Sequence, residues 1–349
     1  MTPSTTTHIR LATEQDAPVW DAYVNGNPHR TIAHLWRWRP ILERSFKLRP
    51  QYFIAHTADG RLVGVLPAAL MSSSLFGKFL ISMPWLDYGG PLADDDATAK
   101  LLVDSATAKA KELNCRFFEM RAVHHRLSDM TEKTDKRQFH LDLTAGEEAV
   151  WKSFDAKARN QVRKAEKSNL SCAFGGKELL DDFYAVFAYN MRDLGTPVWP
   201  RSLFEEIFAH FGQDVEIVVV KLEKKTIGAG LLLHYGKYAG VPSASSYREY
   251  RELCPNNLMY WEVIKHCITR GSNVFDFGRS SEGAGTFNFK KQMMRQPVEQ
   301  IWQYKLLTID ALPEMNPNNP KYKTAIAVWR KLPLFVTNWL GPKIVTKLP

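Results

Sequence analysis

Cysteine is scarce in this chain. Its four cysteines, Cys115, Cys172, Cys254 and Cys267, are widely spaced and form no CxxC pair. That spacing excludes a disulfide framework and the usual cysteine zinc sites. Cys115 and Cys267 sit among apolar neighbours, as core thiols do. His124-His125 has no ligand pattern around it and reads as a polar loop or strand end, so no metal is expected. Long apolar runs are also missing, so nothing is expected to span a bilayer. The opening Met1–His8 lacks a charged stretch followed by an apolar one and is not a secretory signal. A cytoplasmic protein is expected.

What is present is basic charge. The net charge is +9, and it is clustered. Lys157, Arg159, Arg163, Lys164 and Lys167 stand against Glu166 alone. From Ala311 onward, Lys321, Lys323, Arg330, Lys331, Lys343 and Lys347 stand against Glu314 alone. Such surfaces favour anionic partners: phosphorylated substrates, RNA or acidic lipids.

The chain repeats one order of elements. Strands are expected over Tyr52–His56, Leu62–Met71 and Lys78–Met83. A helix over Asp95–Leu113 and a strand over Cys115–Arg121 follow. The second half has strands over Val215–Lys221, Ile227–His234 and Tyr238–Ser245. It then has a helix over Asn257–Arg270 and a strand over Asn273–Phe277. Each half also has a helical preface, 17–46 and 150–211. Between the halves, Met130–Gln138 is highly charged and reads as an exposed loop, and Phe139–Leu143 as a strand. This β-β-β-α-β order resembles the GNAT acyltransferase fold. The expected class is therefore α+β, with two tandem GNAT-like domains (1–143 and 144–310) and a basic amphipathic tail (311–349).

The most informative stretch is Val274–Lys291: a buried strand, three glycines (Gly278, Gly283, Gly285), then Phe287-Asn-Phe-Lys-Lys291. Glycine admits positive φ and close approach of a ligand, and loops leaving strand ends commonly carry sites. Asp276-Phe-Gly-Arg279 with Phe287-Asn-Phe-Lys290 resembles the end of the second domain of FemAB proteins, the aminoacyltransferases that extend peptidoglycan cross-bridges. The nearest resemblance is to FemAB-related proteins found beside exosortase (PEP-CTERM) and exopolysaccharide loci. It also rests on Leu75–Pro84, Tyr88-Gly-Gly-Pro91, Asp193–Pro200, Asn257–Glu262 and Asn316–Tyr322.

The resemblance implies aminoacyl or acyl transfer. Amide formation from an activated ester needs placement, removal of a proton from the amine and stabilisation of the oxyanion. Lys290 matches the family's lysine and is expected to pair its flexible ammonium with an oxyanion or phosphate. Asp276, at a strand end, is expected either to accept a proton or to hold the strand end and Arg279. Tyr88 with Gly89 and Gly90, and Asn257 with Tyr260, are candidate binding positions, as is Phe289 beside Lys290. Asn257 also reads as a helix N-cap. Arg159 and Arg163 share a helix face, and the resemblance places such a basic helix beside the acceptor. Trp199, in a loop preceded by Arg192-Asp193, is a candidate for a sugar or peptide groove. Trp36 and Trp38, on a helix, would point to different faces, with core packing favoured for one.

An acetyl-CoA enzyme of the GNAT type cradles pyrophosphate in a glycine-rich loop before a helix. Here the equivalent is Arg251–Asn257, where Cys254 and Asn256 replace glycines and Pro255 removes a donor. In the first half, Asp94, Asp95 and Asp96 would repel an anion. Acetyl-CoA is therefore not the expected donor. Aminoacyl-tRNA or another acyl donor is, with no tightly bound cofactor. The rival reading is a binding module for an anionic polysaccharide precursor, and a further alternative is CoA-dependent N-acetylation. The tail 321–349 mixes aromatic and basic residues and is expected either to pack on the second domain or to rest at the inner membrane face.

Overall fold

Pro67 divides what reads as one long strand. The computed structural model describes residues 6–73, 76–121, 124–312 and 320–348, with the side chains of 320–322 excepted. The start of the chain, Leu75 and most of 316–322 therefore lie outside the described residues or side chains. The chain divides into two compact units: 1–134 with 301–316 and 346–349, and 135–300 with 317–345. The division does not follow the linear bounds 143 and 310.

The first unit opens with β1 (Thr7–Leu11), α1 (Ala17–Gly26) and α2 (Trp38–Phe46). The short strands β2 (Arg49–Pro50), β3 (Phe53–Thr57), β4 (Leu62–Leu66), β5 (Ala69–Ser73), β6 (Gly77–Ile81) and β7 (Leu92–Ala93) follow. Helix α3 (Asp96–Glu112) and β8 (Phe117–Met120) complete the run. The expected strand Leu62–Met71 is two strands, because Pro67 has no N–H to continue a ladder. β4 joins the antiparallel sheet β1-β3-β4-β7, whereas β5 pairs with β2 and β6 in another. Asp95 caps α3, accepting the Thr98 amide at 2.7 Å. Leu102, Val103 and Ala106 of α3 pack on Phe53, Val63 and Phe118. Trp36 and Trp38 do not share a helix. Trp36 lies in the turn before α2, so both are buried, Trp36 edge-on to Trp20 at 5.5 Å.

The second unit begins within β9 (Thr131–Asp142). This strand replaces the expected loop at 130–138: its residues pair with a second-unit strand in register His140↔Asp276 and Gln138↔Arg279. Its charges lie on partly exposed positions, so the charge run hid a strand. Next come α4 (Gly146–Ser153), α5 (Ala156–Lys167), β10 (Leu170–Gly175), α6 (Leu180–Leu194), α7 (Arg201–Phe211), β11 (Val215–Leu222), β12 (Lys225–Tyr235) and β13 (Tyr238–Ser246). Then follow α8 (Pro255–Thr269), β14 (Val274–Ser281), α9 (Gly285–Lys291), β15 (Val298–Leu306), α10 (Pro320–Trp329) and α11 (Leu334–Val345). From Ile301 onward β15 belongs to the first unit, pairing with β8.

In the second unit the strand order is β10-β11-β12-β13-β14-β9, antiparallel except for β13–β14. Ile217 to Val220 are all fully buried, so both faces of β11 are covered. One core joins Val218, Val220 and Ile227 to Ala158 and Val162 of α5 and to Leu258, Val263 and Ile264 of α8. Pro342 sits inside α11.

Candidate functional site

The two strands that flank α8 in the sheet part company early. β13 and β14 pair in parallel at Tyr238↔Val274, Ala239↔Phe275 and Gly240↔Asp276, and among the described residues no further pair follows. Both strands nevertheless run on, to Ser246 and Ser281. They form a fork whose base is the Gly240–Asp276 pair. The base is tight at Gly240: a Cβ there would lie 3.0 Å from the Asp276 carbonyl oxygen.

Asp276 stands at that base. Its Oδ1 accepts the Gly278 amide at 2.7 Å and the Gln138 Nε2 at 2.6 Å, while Oδ2 lies 3.6 Å from His140 Nε2. Gly278 has φ +70°, and the β14–β9 register shifts between Asp276 and Arg279. The glycine thus makes a bulge that the carboxylate braces. Lys290 completes it from α9. Its ammonium is buried and donates to the carbonyls of Gly278 at 3.0 Å and Arg279 at 2.9 Å, 5.8 Å from the Phe139 ring centre. This differs from the expected mobile ammonium: Lys290 is an anchor for the bulge. Tyr260 lies beneath, buried, with Phe277 and Phe289 at 5.3 and 5.5 Å between ring centres. Burial, then the nearby Asp276 charge, pushes the Tyr260 hydroxyl well above its ordinary range.

The other candidates divide. Asn257 is not the N-cap of α8; that position is Cys254, and Asn257 is buried inside the helix, donating to Gln161 Oε1 of α5 at 3.2 Å. Arg159 turns back onto the carbonyls of Lys152 and Phe154 at the end of α4. Arg163 is exposed, over the Trp151 ring at 5.6 Å. Trp199 packs on Phe187 and Phe204, and its carbonyl accepts the Tyr184 hydroxyl. Arg192 pairs with Asp193 and lies 4.6 Å over Tyr189.

Tyr189 opens onto a feature the sequence did not single out. A cleft of about 430 Å³ is lined by Asp182 and Tyr189 of α6, Lys225 of β12, and Tyr247 and Glu249 just after β13. Tyr189 and Tyr247 meet edge to face at 4.8 Å. Asn190 fastens α6 to β13 through Ser245 Oγ at 3.2 Å. The cleft therefore lies at the end of β13, past the point where it has left β14. Three sequence-distant stretches build it, and only their aromatic–charge composition hinted at it. Gln138 closes the charged run and His140 lies in the expected strand 139–143; nothing local marks either as a partner of Asp276.

In the first unit the comparable parallel pair, Leu80↔Phe118 and Ile81↔Glu119, ends in a filled site. Arg121, buried, binds Glu119 at 2.9 Å, stacks 4.1 Å over Trp302 and donates to the carbonyls of Met83 and Leu86. The Gly90 amide donates to the Arg121 carbonyl at 2.7 Å, and its own carbonyl meets His34 Nε2 at 2.9 Å. Gly89 has φ +147°, and a Cβ there would sit 2.7 Å from Met83. Tyr88 is half-buried in this same loop. The glycines that resembled a ligand loop are closed against their own unit.

Another cluster joins Glu216, His234 and His266, whose ring Nε2 atoms each lie 2.9 Å from Glu216 Oε2. Arg270 donates to the same oxygen at 2.7 Å, so a guanidinium already supplies the positive charge there.

Residues 152–291 match the profile of the acetyltransferase (GNAT) domain. No curated protein sequence matches the chain. Among solved structures, the crystal structure of FemX is 15% identical with a TM-score of 0.65, over 91% of this chain and 100% of that one. The structure of L-PGS from Bacillus licheniformis is 13% identical with a TM-score of 0.52, over 92% and 98%. A tandem GNAT protein from the clavulanic acid biosynthesis pathway is 9% identical with a TM-score of 0.54, over 88% and 100%. At such identities the likeness is one of fold. Residues 152–291 thus resemble a GNAT acetyltransferase domain, and the chain has a mixed α/β, tandem-GNAT fold similar to that of FemX.

Proposed function

We propose that the protein is a transferase that moves an aminoacyl or acyl group onto an amine or hydroxyl of a sugar- or peptidoglycan-like cell-envelope precursor, at the fork of β13 and β14. The observation that carries this reading is the fork itself, with a braced carboxylate at its base. The acceptor's amine attacks the carbonyl carbon of the activated donor. The new C–N bond forms as the donor's ester C–O bond breaks. Asp276 takes the amine proton and returns it to the departing oxygen, which leaves as a hydroxyl. Lys290 acts as a positioning residue, holding the bulge that fixes Asp276. The Tyr189–Tyr247 cleft, with Asp182, Glu249 and Lys225 as hydrogen-bonding groups, suits a sugar-bearing acceptor.

The donor we favour is aminoacyl-tRNA rather than acetyl-CoA. At the start of α8, Pro255 has no N–H, and the amides of Asn257 and Leu258 both donate to the Cys254 carbonyl. That leaves a poor cradle for pyrophosphate. In the first unit the Asp95 carboxylate occupies the start of α3. The tie to exosortase-linked loci rests on the sequence segments alone. The test is mass spectrometry of envelope precursors incubated with the protein and charged tRNA. A precursor gaining one amino-acid residue supports the reading. A gain of acetyl from acetyl-CoA, or no gain from either donor, refutes it.

A further inference from the structure

The two most exposed large aromatic side chains among the described residues stand on one helix. Phe335 is 76% exposed and Trp339 is 64% exposed. They are four residues apart on α11, and Lys343 follows after four more, its ammonium 3.8 Å over the Trp339 ring. The spacing sets all three on one face. The opposite face is seated. Thr337, Gly341 and Val345 are buried, and a Cβ on Gly341 would come within 2.7 Å of Val198. Helix α10 is fastened nearby: a Cβ on Gly195 would strike Ile326 at 2.4 Å, and Arg330 donates to the Leu194 carbonyl at 3.2 Å. The tail is thus docked on its unit by one side and turns a Phe–Trp–Lys stripe outward.

The chain on either side of that stripe is basic. Lys331 and Lys347 are exposed, and no acidic residue follows Glu314 in the chain. Val328, 55% exposed, adds apolar surface on α10. No described helix is long and apolar enough to cross a membrane, so this face can only lie on one. Exposed aromatic side chains flanked along the chain by lysines complement an apolar layer beneath negatively charged headgroups.

We propose that the outer face of α11 docks on an anionic lipid surface, with Phe335 and Trp339 entering the headgroup layer and Lys331, Lys343 and Lys347 pairing with lipid phosphates. The inference is independent of the transferase reading, since none of these residues belongs to the fork. The full chain is floated with vesicles of phosphatidylcholine alone or with one-third phosphatidylglycerol, at low and high salt. Binding is expected to the anionic vesicles only, to weaken with salt, and to fall about tenfold or more in Phe335→Ser/Trp339→Ser. Lys343→Gln/Lys347→Gln should weaken binding without changing the fold seen by circular dichroism. No binding to anionic vesicles at low salt overturns the proposal, as does undiminished binding by the aromatic variant. A wild-type dimer in light scattering that the aromatic variant loses also overturns it, assigning the face to a second copy of the chain.

Discussion

The ammonium of Lys290 and the carbonyl of Gly278 lie 3.0 Å apart, and that contact ties α9 to the bulge of β14. A buried cation on two carbonyls cannot be removed cheaply, because the carbonyls lose their donor. Lys290→Ala is therefore expected to lower stability by about 1–3 kcal/mol as well as activity. Lys290→Arg should not restore either, since a planar guanidinium does not fit a point-charge site. Urea denaturation of both variants checks this. An unchanged midpoint in Lys290→Ala would show that the lysine bears no structural load.

Gly240 offers a cleaner probe of the fork. An added Cβ would press on the Asp276 carbonyl at 3.0 Å, within the parallel pair itself. Gly240→Ala should cost about 1–3 kcal/mol by overpacking and reduce turnover more than substrate affinity. Steady-state kinetics decide it. A rise in KM with kcat intact would place the reacting groups elsewhere.

Much of this architecture was legible in the sequence. The three expected strands from Val215 to Ser245 and the helix before Val274 announced the second sheet, and the glycines after Asp276 announced a bend at the end of β14. Three things were not. The charges of residues 131–138 disguised the first part of a strand whose pairing with β14 supplies Gln138, because strand preference depends on a partner that local sequence does not reveal. Leu62–Met71 looked continuous although Pro67 sends its halves to different sheets. Lys290 read as a mobile charge because burial is a tertiary property. The cleft of Tyr189, Lys225 and Tyr247 was hidden for the same reason.

His34 should make the first unit sensitive to mild acid. It is buried, its Nδ1 facing the Thr31 amide at 3.1 Å and its Nε2 the Gly90 carbonyl. Burial holds its pKa down at about 4, against the ordinary 6.5. The unfolded chain therefore binds a proton that the folded chain refuses. The stability contributed is complete above about pH 6.5 and is lost as pH falls toward 4. Between pH 7 and pH 5 the loss should be about 2 kcal/mol, and His34→Gln should abolish that slope. A flat profile in the wild type would contradict the assignment.

Glu216 acts at lower pH. Burial raises its pKa, but hydrogen bonds from His234 and His266 and the charges of His266 and Arg270 outweigh that and hold it at about 2. A depressed carboxyl contributes stability above its ordinary range, lost as pH falls from about 4.5 toward 2. Glu216→Gln should be less stable at pH 6 and lose less on acidification. Denaturant titration across that window checks it, and an equal acid slope in both proteins would rule the cluster out.

The most direct measurement is transfer of a labelled amino acid from charged tRNA to envelope precursors, comparing the wild type with Asp276→Asn. The account predicts label in the precursor fraction with the wild type. It predicts a loss of about a hundredfold or more with Asp276→Asn at unchanged stability. Equal transfer by the two proteins, or transfer of acetyl from acetyl-CoA alone, would contradict it.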